Sequence, residues 1–273
     1  MKTCLTIAGS DSSGGAGIQA DLKTFAACKV FGMSAITALT AQNTLGVHGV
    51  SAVSPDFVAL QISSVLDDIF PDAIKIGMLA NSEIINSVAR TLNQHKAHNV
   101  VLDPVMIATS GDPLLNKESV RSLIDCLIPL VDIITPNVAE LIALCQAQGI
   151  DVKQDQLITT SDLKDLTLKL QQSLPNKTNG SHVAVLSKGG HLADEDAVDY
   201  FYNGNNEYWL RHTRIDTANT HGTGCTLSSA IAAELAKGQT LHNACINAKQ
   251  YLTGALQKQL NLGRGNGPLD HLV

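Results

Sequence analysis

The sequence predicts an α/β protein with a central, mostly parallel β-sheet that is flanked by helices on both faces. Two observations carry this prediction: short apolar, β-branched runs recur along the chain, and amphipathic helical patterns lie between most of them. Strands that are apolar on both faces are typical of parallel sheets covered by helices. In such folds ligands bind at the carboxyl ends of the strands, so a functional site is expected at that edge.

Six segments match the strand pattern, and each ends in Gly, Pro or polar residues. In chain order they read CLTIAG, SAITALTA, AIKIG, NVVLDPV, VDIITP and HVAVLSKGG. The predicted helices are Ile18 to Lys29, Asp56 to Ile69, Ser82 to Gln94, Lys117 to Leu127, Ala139 to Gln148, Ser161 to Leu174, Thr223 to Lys237 and Leu241 to Leu260. The segment AVDYFYNGNNEYWLRH carries a hairpin signal around Asn203 and Gly204, which predicts a small antiparallel edge.

Size and composition favour one globular domain over residues 1–273. Hydrophobic residues make up 44% and charged residues 16%, which excludes disorder, and a net charge of -6 argues against a nucleic-acid partner. No apolar run approaches the ~18 residues of a membrane span, and Asp11 interrupts the first run before it could act as a signal. The six cysteines lack zinc-ligand spacing and are expected to be reduced thiols. Together with the lack of a membrane span, this predicts a cytoplasmic protein with no membrane partner.

A glycine-rich turn follows the first predicted strand and contains GxGxxA at Gly15, Gly17 and Ala20. A dinucleotide-binding fingerprint requires this turn directly after the strand and an acidic residue about 20 positions later. Here the strand ends near Gly9, and the later segment SAITALTAQNTLGV contains no acidic residue. The turn is therefore not predicted to bind a dinucleotide.

The segment NTHGTGCTLSSAIAAELAKG predicts an anion-binding helix start. Gly222, Thr223, Gly224 and Cys225 lead into an apolar-periodic helix, so their backbone N–H groups lie unpaired where partial positive charge collects. The two glycines leave room for a phosphoryl group to approach the backbone. The alternative interpretation is an ordinary glycine-rich helix start.

The segment HGTGCTLSSAIAA resembles the signature of the vitamin kinases in the ribokinase-like superfamily. Further segments resemble, in the same order, those of the hydroxymethylpyrimidine/phosphomethylpyrimidine kinases: AGSDSSGGAGIQADLKTF, TALTAQNTLGV, VLDPVM, TPNVAEL, SKGGH and GRGNGPLDH. The resemblance covers essentially the whole chain. It implies a ribokinase-like fold and a homo-oligomer, expected to be a dimer. It also implies transfer of the ATP γ-phosphoryl group, with Mg2+, to a hydroxymethylpyrimidine and then to its monophosphate in thiamine synthesis.

The resemblance assigns catalytic and metal-binding roles to specific residues. Cys225 stands where sugar kinases of the superfamily carry a general-base Asp, and a thiol at a helix N-terminus is expected to have a lowered pKa. A small buried residue is the alternative. Asp103 and Glu140 are expected to act on the metal and phosphates, with Asn137 alongside. Turn chemistry at Asp103 and a helix-dipole carboxylate at Glu140 are the alternatives.

On the nucleotide side, the resemblance places Lys188 on the phosphates and assigns Thr220 and Ala248 to the nucleotide. Ala248 lies in NACINAKQYL, a helix that would flank adenine, and core packing is the alternative for most of that helix.

On the acceptor side, the side-chain amide of Gln42 both donates and accepts, which matches the edge of an aminopyrimidine; a polar residue that caps a strand is the alternative. Kinases of the family that accept pyrimidines tend to carry Gln here, so the resemblance favours pyrimidine over pyridoxal. The other acceptor contacts that the resemblance implies are Gly9, Ala16, Asp21, Met78 and Val105. Core packing is the alternative for Met78 and Val105.

The sequence departs from the family pattern at two places. VMIATSGDP lacks the lysine that many relatives carry near Thr109, and SDSS replaces a form with Pro at position 12. Two other functions stay open: a pyridoxal kinase of the same fold, and a nonenzymatic ligand-binding protein that kept the fold.

Overall fold

The computed structural model describes residues 1–106, 115–152, 158–190, 192 and 196–273. Within these ranges the strands are Thr3–Asp11 (β1), Phe31–Asn43 (β2), Gly46–Ala52 (β3), Ala73–Ile76 (β4), Val100–Leu102 (β5), Ile133–Ile134 (β6), Ala184–Lys188 (β7), Asp196–Tyr202 (β8) and Glu207–Thr213 (β9). The α-helices are Gly17–Ala27 (α1), Pro55–Leu66 (α2), Ser82–Gln94 (α3), Lys117–Ser122 (α4), Val138–Ala147 (α5), Thr160–Ser173 (α6), Thr223–Ala236 (α7) and Leu241–Gln257 (α8). None of the helices within the described ranges is long and apolar enough to cross a bilayer.

One sheet contains these strands in the order β3-β2-β1-β4-β5-β6-β7-β8-β9. The six predicted strands form its parallel centre, in the order β2-β1-β4-β5-β6-β7. The predicted hairpin is also present, as the antiparallel pair β8 and β9. The predicted fold class is therefore confirmed.

The sequence patterns do not predict β3, which pairs antiparallel with β2 and forms a second antiparallel edge. Its sequence is GVHGVSA, and its residues are exposed or half-buried. An edge strand of this kind has no continuous apolar face, so neither of the two strand patterns marks it.

The helices match the predicted segments within a few residues, with one difference in type. The segment predicted as one helix from Lys117 to Leu127 is α4 followed by a π-helical turn, Leu123–Leu127, and a 3-10 turn, Ile128–Leu130. Pro129 lacks an N–H and its ring clashes with the preceding turn, so an α-helix cannot continue through it.

The strands divide their side chains between two apolar clusters, one on each face of the sheet. Leu5 and Ile7 join the cluster under α2, α3, α5 and α6, whereas Cys4 joins the cluster under α1, α7 and α8. This alternation follows from the two-residue repeat of a strand. It places Lys75, between two isoleucines in β4, on the face covered by α1 and α7.

Candidate active site

The carboxyl ends of β5 and β7 meet the first turn of α7. Asp103 follows β5 and Lys188 ends β7, with Lys188 Nζ 2.8 Å from Asp103 Oδ1. The Thr135 hydroxyl donates to the same oxygen at 3.1 Å. A Cβ atom built on Gly224 would lie 3.2 Å from both Asp103 Oδ2 and Lys188 Nζ. The predicted phosphate, metal and anion-binding residues therefore lie together.

The first turn of α7 leaves backbone donors available. The amides of Thr223 and Thr226 donate to the carbonyls of Thr220 and Gly222, whereas those of Gly224 and Cys225 have no acceptor in the described part of the chain. Gly222 has a φ of +88°, and a Cβ atom there would lie 1.9 Å from the Gly15 carbonyl oxygen. Because only glycine fits this position, the helix start can lie directly against the glycine-rich turn.

Glu140 and Asn137 form a capping box at the start of α5. The Asn137 side chain accepts from the Glu140 amide at 2.9 Å, and Glu140 Oε2 accepts from the Asn137 amide at 2.8 Å. Burial raises the pKa of Glu140 to about 7; Lys188 opposes this rise and Asp103 adds to it. Glu140 thus stabilises a helix end, and it also interacts electrostatically with the Asp103–Lys188 pair.

Asp11 organises the glycine-rich turn, a role that the sequence analysis missed. Its carboxylate accepts from the amides of Gly15 and Ala16 at 3.0 and 2.8 Å, and Oδ2 lies 2.8 Å from His221 Nε2. Burial works against ionisation, but hydrogen bonds from His221 and Ser13 outweigh it and lower the pKa of Asp11 to about 2. The turn is thereby fastened to the loop before α7. The available sequence signal was an Asp before SSGGAG and a His before GTGC.

The expected lowering of the Cys225 pKa is wrong, because the pKa is raised. The residue keeps partial exposure, but desolvation of its thiol raises the pKa to about 11. The Lys75 ammonium and the Gly17 amide favour the thiolate, yet they do not outweigh the loss of solvation. A helix N-terminus favours a thiolate, whereas burial of the thiol favours its neutral form.

The prediction that Asp21 faces the acceptor is wrong. Its side chain is fully buried and accepts from Lys75 Nζ at 2.9 Å, from the Thr6 hydroxyl at 2.6 Å and from the Ser229 hydroxyl at 2.7 Å. Burial opposes the charge of Lys75, but the adjacent Asp21 carboxylate raises the pKa of Lys75. This buried network joins α1, β1, β4 and α7 beneath the site.

The assignment of Ala248 to the nucleotide is also wrong. Ala248 is fully buried in the cluster under α7 and α8, together with Ala244. The core-packing alternative is therefore correct for this part of α8. Thr220, by contrast, is half-buried in the loop that leads into α7.

Gln42 lies at the β2 edge of the site, and its side-chain amide has no hydrogen-bond partner in the described part of the chain. A register shift between Ala41 and Gln42 interrupts the pairing with β3, and such bulges redirect side chains. The Ser12 hydroxyl bonds the Gln42 backbone carbonyl at 2.9 Å and amide at 3.0 Å. Proline at position 12 could not make these bonds. Among the described residues, none bonds the Gln42 side-chain amide, which is half-buried.

The remaining predicted acceptor residues are half-buried or buried near strand ends. A Cβ atom on Gly9 would lie 3.3 Å from Met78 Sδ, so the ends of β1 and β4 are in contact. Ala16, Met78 and Val105 are half-buried. Thr109 lies outside the described residues.

Comparisons with known proteins agree with this geometry. Residues 11–270 match the family model described as phosphomethylpyrimidine kinase. The chain is 45% identical to the hydroxymethylpyrimidine/phosphomethylpyrimidine kinase of Salmonella typhimurium over 269 residues, which cover 98% of this chain and 96% of the relative.

Two solved structures have the same fold. A phosphomethylpyrimidine kinase from Clostridium difficile is 42% identical with a TM-score of 0.77, and the match covers 94% of this chain and 100% of that one. A Bacillus subtilis pyridoxal kinase in an ADP complex is 38% identical with a TM-score of 0.85, and the match covers 99% of this chain and 97% of that one. The chain therefore belongs to the phosphomethylpyrimidine kinase family of ribokinase-like enzymes.

Proposed function

We propose that this enzyme uses Mg2+ and ATP to phosphorylate 4-amino-5-hydroxymethyl-2-methylpyrimidine and then the resulting monophosphate, in thiamine synthesis. The observation that carries the proposal is the start of α7, where the amides of Gly224 and Cys225 are available beside the Asp103–Lys188 pair. Phosphoryl transfer depends mainly on positioned charge, because negative charge is spread over the oxygens of the transferring group. Backbone amides without an acceptor among the described residues and the half-buried Lys188 provide such charge.

The nucleotide and metal would be held at the ends of β5, β6 and β7. Lys188 would bind the phosphates, with Asn137 and Thr220 on the nucleotide side, and the ADP complex of the Bacillus subtilis relative supports nucleotide use. Asp103 and Glu140 offer the carboxylate oxygens that Mg2+ prefers. The described residues hold no cluster of three or more metal-binding side chains, so phosphates and water would complete the shell. Bound Mg2+ would neutralise phosphate charge.

The acceptor would lie between the Gln42 amide and the thiol of Cys225. Gln42 can donate to a ring nitrogen and accept from the amino group of an aminopyrimidine. Gly9, Ala16, Met78 and Val105 would contact the ring. Cys225 would take the proton of the substrate hydroxyl in those molecules whose thiol has already lost its own proton, a fraction that grows with pH because the pKa is about 11.

The first test is the reaction itself. Purified protein with Mg2+ and ATP is expected to convert the pyrimidine alcohol to its monophosphate and diphosphate, and removal of Mg2+ should stop the conversion. Products are measured by chromatography with mass detection. Absence of phosphorylated pyrimidine, under conditions in which an active relative produces it, would refute the proposal.

The second test concerns acceptor choice. Gln42→Met is expected to lose activity toward the pyrimidine and to retain or gain activity toward pyridoxal, because the polar edge of the pyrimidine loses its partner. The ratio of kcat/KM for the two acceptors measures this, and Gln94→Met, at an exposed glutamine in α3, is the control. An unchanged ratio in Gln42→Met would contradict the assignment of Gln42.

Pyridoxal phosphorylation is the second candidate function. It is favoured by the similarity of the whole fold to the Bacillus subtilis pyridoxal kinase. The side-chain amide of Gln42, which no other described residue bonds, favours the pyrimidine instead.

We also propose a cytoplasmic location and a homodimer. All six cysteines are free thiols, which is typical of a reducing compartment. Large apolar side chains are exposed on β2, β3 and α2, namely Leu39, Val50, Phe57 and Leu60. Exposed apolar side chains of this kind favour a protein interface.

A further inference from the structure

Residues 263–271, GRGNGPLDH, form an irregular segment that we call the strap. Its sequence resembles that of the vitamin kinases, and none of its side chains belongs to the proposed chemistry. It nevertheless contacts both the part of the molecule that carries Gln42 and the part that carries Cys225.

At one end, the strap is bonded to the turn between β2 and β3, two residues after Gln42. The Thr44 hydroxyl accepts from the amides of Arg264 and Gly265, each at 3.2 Å, and the Thr44 carbonyl accepts from the Asn266 amide at 3.0 Å. The approach is close, since a Cβ atom on Gly265 would lie 2.1 Å from the Thr44 carbonyl oxygen.

In its middle, the strap is bonded to the loop before α7. The Gly267 amide donates to the Ala218 carbonyl, and the Gly267 carbonyl accepts from the His221 amide, both at 3.0 Å. A Cβ atom on Gly267 would lie 2.0 Å from Asn219 Oδ1, so this contact also requires glycine. Pro268 lies next to Gly15 of the glycine-rich turn.

At its far end, the strap is anchored in the core beneath α7. Leu269 is 2% exposed in the apolar cluster under α7 and α8. His271 Nε2 lies 3.0 Å from the Thr226 hydroxyl, one residue after Cys225, and Tyr251 donates to the His271 carbonyl at 2.8 Å. Burial lowers the pKa of His271 to about 4, so this contact joins uncharged groups at neutral pH.

We propose that the strap is a positioning element that holds the β2–β3 hairpin, which carries Gln42, at a fixed distance from the first turn of α7. Thr44 is its positioning residue. The β2–β3 turn lies at the sheet edge and is exposed or half-buried, whereas α7 is rooted in the core. The strap links this edge to the core. The proposal rests on the proposed function, because it concerns the gap in which the acceptor would lie.

The test uses Thr44→Val in the full chain, which keeps the shape of the side chain but removes the acceptor for two strap amides. We expect KM for the pyrimidine to rise on the order of tenfold while KM for ATP changes less than about twofold. Thr44→Ser keeps the hydroxyl and should restore the KM for the pyrimidine. The control is Thr91→Val, which removes a buried hydroxyl bonded to Ser87 in α3. Equal changes in both KM values, or no rescue by Ser, would overturn the proposal.

Hydrogen exchange provides a readout that does not depend on the acceptor. In Thr44→Val, the amides of Gln42 and Asn43 should exchange on the order of tenfold faster than in the wild type, together with those of Arg264 and Gly265. Unchanged exchange at Gln42 and Asn43 would refute the positioning role of the strap even if the enzyme phosphorylates the pyrimidine. Faster exchange in a protein that phosphorylates no pyrimidine would refute the proposed function but would still support the positioning role of the strap.

Discussion

Replacing Cys225 by alanine is expected to slow monophosphate formation most at high pH, where the thiol is ionised, by up to the roughly 10²- to 10⁴-fold that general-base help contributes. The first acceptor is an alcohol whose proton must leave. The second is a phosphate monoester that is already largely ionised, with a second pKa of ~6 for comparable phosphates. The available amides of the α7 start are backbone groups and remain in Cys225→Ala. Monophosphate formation should therefore fall at least about tenfold more than diphosphate formation.

The pH dependence separates a base from a packing residue. Burial holds the pKa of Cys225 near 11, and a base acts only after losing its proton. The wild-type kcat/KM for the alcohol should therefore rise between pH 7 and pH 9, and this rise should be absent in Cys225→Ala. Single-turnover rates of both steps are the measurement, with the exposed Cys126→Ala as control. Equal losses in the two steps, with an unchanged pH profile, would show that Cys225 only packs.

Replacing Lys75 by methionine is expected to lower the free energy of unfolding by about 3–5 kcal/mol, because it leaves the carboxylate of Asp21 buried without its cation. Both side chains of this pair are fully buried. The measurement is urea unfolding of the wild type, Lys75→Met and the double variant Asp21→Asn with Lys75→Met.

The double variant is the matched control for this prediction. Asn at position 21 is uncharged and keeps hydrogen-bonding partners in Thr6 and Ser229. It should therefore recover at least about half of the loss, since removing both charges of a buried pair costs less than removing one. Strictly additive losses would show that the two side chains do not interact.

Local sequence patterns predicted the centre of the sheet and the start of α7, and they failed where tertiary contacts decide. Strands buried on both faces have a continuous apolar sequence, whereas the exposed edge strand β3 does not. The pair of Asp11 and His221 joins residues 210 positions apart, so no local spacing could indicate it.

The predictions for the corrected site residues failed for the same reason. Asp21 was expected at the acceptor, but its partner Lys75 is 54 positions away in a strand that reads as apolar. The pKa of Cys225 depends on how much protein surrounds the thiol, and a helix N-terminus alone does not determine that. Ala248 lies on an apolar stripe, and such a stripe is more often core than ligand contact.

The central claim is that the free amide of Gln42 selects an aminopyrimidine alcohol for transfer at the start of α7. The most direct test is the ratio of kcat/KM for 4-amino-5-hydroxymethyl-2-methylpyrimidine to that for pyridoxal, measured on the wild-type protein with Mg2+ and ATP in one assay. We expect the ratio to favour the pyrimidine by about tenfold or more, because a site built to hydrogen-bond a polar edge rejects a ligand that lacks it. A ratio of one or below, with pyridoxal the equal or better acceptor, would contradict the claim.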